Sequence, residues 1–319
     1  MRVALLDDYQ NVGLAMADWG RLAKSAQVDA IREHIADPDA LVARLRDYDA
    51  VMLMRERTAF PRAILERLPN LRLIVTAGMW NASLDIEAAT SLGIQVCGTG
   101  GWPYATAELA LGLMLALLRQ IPAEDRVMRA GGWQTRMGRG AHGLTLGVLG
   151  LGKLGAQMAR FGAMLGMEIL AWSQNLTEQV AAEAGARLVP KETLVAQSDV
   201  LSIHLKLSDR TRGLIGGAEL DAMKRTAYII NTSRGPIVDE AALLDRLRRG
   251  TIGGAGLDVY GHEPLPADHP LRGLDNVILT PHVGYVVEQN HRIFYADTLE
   301  DIEAFLEGRL VRPLNTLQS

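Results

Sequence analysis

The stretch Thr145-Leu-Gly-Val-Leu-Gly-Leu-Gly-Lys-Leu-Gly155 constrains the fold more than any other part of this 319-residue chain. A short apolar run predicts a buried parallel strand, three glycines follow at G-x-G-x-x-G spacing, and a helical pattern begins at once over residues 156–165. In a loop that wraps a dinucleotide each glycine has its own use. Gly150 allows the tight turn, Gly152 lets the backbone approach a pyrophosphate, and Gly155 lets the helix pack on the strand. Lys153 and Leu154, within the glycine loop, are assigned to the cofactor with it, and the first N–H groups and dipole of the helix that follows favour an anion. Glycine is abundant here, with 32 residues, so the spacing alone says little; the flanking strand and helix patterns carry the reading.

Strand and helix patterns alternate on both sides of this loop, which implies an α/β fold with parallel sheets and right-handed crossovers. Before it, strands are expected at 3–6, 28–31, 50–53, 73–76 and 94–96, with helices at 39–46, 61–67 and 86–91. From the loop onward, strand patterns at 146–149, 168–172, 200–203, 227–231, 254–258 and 277–279 match the six strands of a Rossmann sheet. One long helix is expected over 104–130. It is apolar nearly all round at 109–118, and so buried between units or subunits. A last helix covers 286–307. The expected organisation is a discontinuous domain of 1–99 with 286–319, a dinucleotide-binding domain over 100–285, and the chemistry in the cleft between them.

A net charge of −4 gives no electrostatic reason to expect nucleic acid or an anionic membrane as partner. The longest apolar run, ten residues, is too short to span a bilayer. The chain enters a strand pattern at Arg2 without signal-peptide features, and its single cysteine, Cys97, fits a reducing compartment, so a cytoplasmic location is expected. Cys97 reads as a packing residue. With neither H-E-x-x-H nor paired cysteines, no metal is expected.

Three polar residues follow strand patterns, where an open parallel sheet presents side chains to a ligand: Arg234, Glu263 and His282. Each type suits hydride transfer to a carbonyl. Arginine grips a carboxylate with a planar fork. Histidine exchanges a proton near neutral pH, and a glutamate on its far ring nitrogen fixes the tautomer and favours the charged ring. Bland readings stay open on residue type alone. A strand-end arginine is more often a surface residue and a histidine after proline a turn residue, and His204, His262 and His269 also lie near strand ends.

Residues 145–155, 223–240, 256–264 and 280–284 together resemble the D-isomer-specific 2-hydroxyacid dehydrogenase family, which includes phosphoglycerate, glyoxylate/hydroxypyruvate and D-lactate dehydrogenases. The resemblance covers nearly the whole chain. It implies a flavodoxin-like substrate domain made from both chain ends, a central Rossmann domain, a homodimer, and Arg234, Glu263 and His282 as the catalytic set. It further implies that Asp258 meets the nicotinamide carboxamide and that His204, Thr232 and Ser233 line the cofactor. In the family the loop at 76–85 meets the substrate carboxylate, which assigns Gly78, Met79 and Trp80 to the substrate. Trp80 stands in place of a glycine and either caps the pocket or packs away from it. The segment 98–103 also departs from the family pattern. Arg55 and Arg57 belong either to a solvated loop or, for one of them, to the far end of the substrate.

The position for the acid that binds the ribose is Ser173, followed by Gln174 and Asn175. Nothing there repels a 2′-phosphate, and no arginine or lysine follows at once to attract one. NAD or NADP is therefore expected, with a lean to NADP. The activity expected is reduction of a small 2-oxoacid of the glyoxylate or hydroxypyruvate kind. The alternative within the class is phosphoglycerate dehydrogenase, here without room for a regulatory C-terminal domain. Outside the class it is a non-enzymatic dinucleotide-sensing corepressor of the same fold, which the complete trio weighs against.

Overall fold

The computed structural model describes residues 1–317. The chain divides into two compact units, Met1–Trp102 with the chain from Val286 onward, and Pro103–Tyr285. The boundary lies three residues beyond the expected 99/100. Gly100 N–H donates to Asp297 at 2.7 Å and Trp102 N–H to Asn290 at 2.5 Å, which ties that segment into the first unit.

In the first unit, β1 (Arg2–Leu5), β2 (Gln27–Ala30), α1 (Pro38–Leu45), β3 (Ala50–Leu53), α2 (Arg62–Leu65), β4 (Leu73–Thr76), α3 (Ile86–Ser91) and β5 (Gln95–Gly98) follow in turn. The strands are all parallel, in the order β2-β1-β3-β4-β5 of flavodoxin-like sheets. Every residue of β3, β4 and β5 is buried, as expected of a sheet covered on both faces. Asp37 and Asp85 cap α1 and α3 by accepting the N–H of Ala40 and Ala88. The end of the chain returns to the sheet: Arg312 and Leu314 bond to Gly98 and Val96, an antiparallel addition along β5.

The second unit opens with α4 (Ala105–Leu118) and α5 (Ile121–Arg129). The single helix expected over 104–130 is thus two, bent by 64°. Gln120 takes a left-handed conformation, and Pro122 in the first turn of α5 has no N–H to continue the ladder. No single described helix is long and apolar enough to cross a membrane. The apolar girdle of α4 serves its own unit: Leu113, Met114 and Leu117 pack with Val148, Met158 and Ile230.

Next come β6 (Thr145–Leu149), α6 (Lys153–Met164), β7 (Glu168–Trp172), α7 (Glu178–Glu183), β8 (Arg187–Leu188), α8 (Lys191–Gln197), β9 (Val200–Ile203), α9 (Gly217–Ala222), β10 (Tyr228–Asn231), α10 (Glu240–Arg249), β11 (Gly254–Leu257) and β12 (Val277–Leu279). After them α11 (Glu288–Leu306) belongs to the first unit. The sheet of the second unit has seven parallel strands, ordered β12-β11-β10-β9-β6-β7-β8, not six. The additional one, β8, is a two-residue edge, too short to leave a strand pattern in the sequence. The order reverses between β6 and β9. In such sheets that reversal opens a crevice at the carboxyl ends, where ligands bind.

Candidate active site

The glycine loop sits at this reversal. A Cβ on Gly155 would lie 2.0 Å from Gly150 O, so only glycine lets the first turn of α6 pack on the turn that leaves β6. Gly152 is different. A Cβ there would meet nothing within 4 Å, and Gly152 begins α6 without any side-chain cap, which leaves room for a ligand at the start of the helix. Lys153 is exposed and Leu154 half-buried. At the ends of the neighbouring strands β9 and β10, His204 Nδ1 and Thr232 Oγ1 are buried without a hydrogen-bond partner among the described residues. Buried polar atoms of that kind call for a partner. An open helix N-terminus beside two such atoms fits a bound dinucleotide.

Beyond β10 the chain turns over Thr232, Ser233 and Arg234, and Asn231 braces the turn. Its side-chain amide donates to Arg234 O and its carbonyl accepts Ser233 N–H, both at 3.0 Å. The Ser233 hydroxyl is spent on Ile203 O at 2.8 Å, and Arg234 Nη1 donates to Ser233 O at 2.7 Å. A Cβ on Gly235 would lie 2.0 Å from the carbonyl carbon of Tyr260. This close approach brings the turn bearing Arg234 against the turn bearing Glu263.

Glu263 accepts Tyr260 N–H at 2.9 Å, and its other oxygen lies 2.5 Å from His282 Nδ1. Burial alone would push the Glu263 carboxyl up, but the His282 bond and charge, the Tyr260 N–H and the Arg234 charge hold it below the usual glutamate range. A third of its side chain remains exposed, so water weakens the pair. His282 sits in a left-handed conformation, φ 52°, after Pro281. Asp258 secures that turn: Oδ1 accepts the Thr280 hydroxyl (2.6 Å) and Val283 N–H (2.8 Å), and Oδ2 accepts Gly284 N–H (2.8 Å). Asp258 is fully buried, and desolvation pushes its carboxyl up against these bonds.

The structure separates histidines that residue type could not. Burial pushes His204 down to about 4, so it is neutral near pH 7, and its Nε2 meets Ser202 Oγ. His269 is committed through both ring nitrogens, to Glu240 and to Leu271 N–H. His262 is exposed. Only His282 among the four combines a carboxylate on one nitrogen with a second nitrogen not engaged by the described residues. Cys97 is buried, its thiol pushed up to about 12 by desolvation, which suits packing and not nucleophilic attack.

The depressed Glu263 carboxyl carries a pH signature. A folded value below the unfolded one stabilises the fold above the unfolded value of 4.5, and the gain is lost as pH falls through the folded value. The melting temperature should therefore drop more steeply below pH 4.5 in the parent than in Glu263→Gln. Parallel curves would mean the pair contributes nothing to stability.

In the first unit, Gly78 (φ 88°) donates its N–H to Thr99 Oγ1 at 2.8 Å, and a Cβ there would meet Arg55 Nη1 at 2.5 Å. Arg55 and Gly78 are thus neighbours, with Asn81 bonding Arg55 O. Met79 and Trp80 are more than half exposed, so Trp80 does not pack into the core of its unit. Arg57 is occupied structurally: it donates to Asp7 O and lies over the Tyr9 ring. Ser173 is half-buried past the end of β7, with Gln174 and Asn175 exposed. Sequence reasoning missed Asn231 as a brace and the hold of Asp258 on the His282 turn. An asparagine at a strand end is a weak turn signal, and nothing local marks a bond between two strand-end loops.

Comparison with known proteins gives concordant matches. The family profile of the D-isomer specific 2-hydroxyacid dehydrogenase NAD binding domain matches residues 111–284. Glyoxylate reductase of Aeropyrum pernix is 38% identical over 283 residues, covering 85% of this chain and 84% of that one. D-3-phosphoglycerate dehydrogenase of Archaeoglobus fulgidus is 37% identical over 284 residues, 88% of this chain but only 54% of that longer protein. A crystal structure of a phosphoglycerate oxidoreductase from Vibrio cholerae o395 superimposes with a TM-score of 0.91 at 37% identity, covering 97% of this chain and 99% of that one.

Proposed function

The chain belongs to the D-isomer-specific 2-hydroxyacid dehydrogenase family, and from that premise we propose that it is a cytoplasmic, homodimeric reductase of small 2-oxoacids such as glyoxylate and hydroxypyruvate. The observation that carries the catalytic assignment is the 2.5 Å contact of His282 with Glu263, whose carboxyl also feels the charge of Arg234. The bound dinucleotide supplies the hydride. Arg234 holds the carboxylate of the oxoacid and polarises the neighbouring carbonyl. His282 donates the proton to the carbonyl oxygen, and takes it back from the hydroxyl in the reverse direction. Glu263 orients the ring and stabilises its charged form. Gly150, Gly152, Lys153, Leu154, Gly155, Ser173, His204, Thr232, Ser233 and Asp258 are assigned to the cofactor. Gly78, Met79, Trp80 and Arg55 are assigned to the substrate. With no carboxylate at Ser173, the chain accepts both NAD and NADP and prefers NADP.

Arg234→Lys should raise KM for the oxoacid by about 10–100-fold, the size of losing a bidentate charged contact, with a smaller effect on kcat. Steady-state kinetics with unchanged KM would remove Arg234 from the carboxylate. The reading as a whole is tested by a panel of 2-oxoacids (glyoxylate, hydroxypyruvate, pyruvate, longer and phosphorylated ones) with NADH and NADPH. The fastest turnover is expected with two- and three-carbon acids. Preference for a phosphorylated acid would favour the phosphoglycerate reading, which the name of the Archaeoglobus relative supports. Dinucleotide binding without any turnover would favour a sensor. A scattering mass of one chain would remove the dimer.

A further inference from the structure

No cation follows Ser173 along the sequence, but the fold brings two from elsewhere. Beside the end of β7 lies a concavity of about 530 Å³, walled by Trp172, Gln174 and Pro190 and bordered by Lys191, Glu192 and Arg210. Its size falls within the ~300–1,000 Å³ typical of small-molecule sites. Trp172 and Gln174 flank Ser173, so the concavity adjoins the position assigned to the adenosine ribose.

The charged groups around it are not equivalent. Lys191 Nζ is held by Glu219 at 2.7 Å, each side chain about four-fifths buried, which largely neutralises that ammonium. Glu192 adds an exposed negative charge. Arg210, in the loop between β9 and α9, is exposed and drawn into no ion pair among the described residues. Its guanidinium offers a planar set of donors matched to phosphate oxygens, and an arginine near the ribose is one way a dinucleotide site accommodates a 2′-phosphate.

We propose that Arg210 is the residue that selects the 2′-phosphate of NADP, supplied by the β9–α9 loop instead of the end of β7. The proposal rests on the reading that this unit binds a nicotinamide dinucleotide. Ser173 removes repulsion, Arg210 adds attraction and Glu192 tempers it, which yields a preference and not exclusion of NAD.

Calorimetric titration of the full chain with NAD⁺ and NADP⁺ tests this without reference to turnover. The parent should bind NADP⁺ about tenfold more tightly, the size of one charge-assisted contact. Arg210→Ala should bring the two affinities together by weakening NADP⁺ alone, and Glu192→Gln should widen the parent's ratio. Raising the salt should narrow it, as it does for exposed charges. A parent that binds NAD⁺ as tightly as NADP⁺ overturns the proposal and leaves the dinucleotide reading intact. So does an Arg210→Ala variant that keeps the ratio or loses both ligands equally. If neither dinucleotide binds, the reading it rests on falls with it.

Discussion

Replacing His282 by Gln is expected to lower kcat for 2-oxoacid reduction by about 10²–10⁴, the usual contribution of a positioned general acid. Dinucleotide affinity should change little. Glutamine keeps a similar length and can still bond Glu263, so the turn after Pro281 has no reason to rearrange, but an amide cannot deliver a proton. His204 cannot substitute, because burial keeps it neutral down to about pH 4, and His269 has both ring nitrogens engaged. The measurement is single-turnover reduction followed by loss of NAD(P)H absorbance, with cofactor binding titrated separately. A variant that turns over like the parent would end the assignment. One that loses cofactor binding instead would make His282 a structural residue.

Asp258→Ala should be the most costly change for stability near the site. It strands the Val283 and Gly284 N–H groups and the Thr280 hydroxyl, all bonded to one carboxylate in the parent. Gly284 N–H is buried and the other two donors are half-buried. With about 1–3 kcal/mol for an unsatisfied buried donor and less for the two that water reaches, a loss of about 3 kcal/mol is expected. For a unit of this size that corresponds to roughly 6–12 °C in melting temperature. The rate should fall as well, because Val283 and Thr280 bracket His282 in the left-handed conformation the carboxylate supports. Asp258→Asn, which keeps one acceptor oxygen, should fall between Ala and the parent in calorimetric melting. If Asp258→Ala melts with the parent, the bonds around the His282 turn are not what holds it.

These two residues also mark where sequence reasoning stops. His282 could be picked out because it follows a strand pattern, and β4, β6, β9 and β10 could be found because buried parallel strands are runs of apolar residues. Asp258 was expected to meet the cofactor, yet its bonds to Thr280, Val283 and Gly284 join loops after different strands, and no local pattern encodes such a link. The break between α4 and α5 shows a different failure. Apolar periodicity runs on towards Pro122, but a proline suits the first turn of a new helix and not the interior of a continuing one. Arg210 illustrates a third reason: it lies far from Ser173 in sequence, and only the fold brings the β9–α9 loop to the concavity beside the end of β7.

The antiparallel bonds of Arg312 and Leu314 along β5 set an order of events on the ribosome. All five strands of that sheet precede the second unit in the chain, whereas the segment that covers the β5 edge follows it. The whole of Pro103–Tyr285 emerges before β5 receives this partner. Domains generally fold as units while synthesis proceeds, so the second unit closes around its core while the first still presents a bare strand edge. Such an edge templates pairing with other chains. Translation halted before Arg312 should therefore release a species that self-associates through β5.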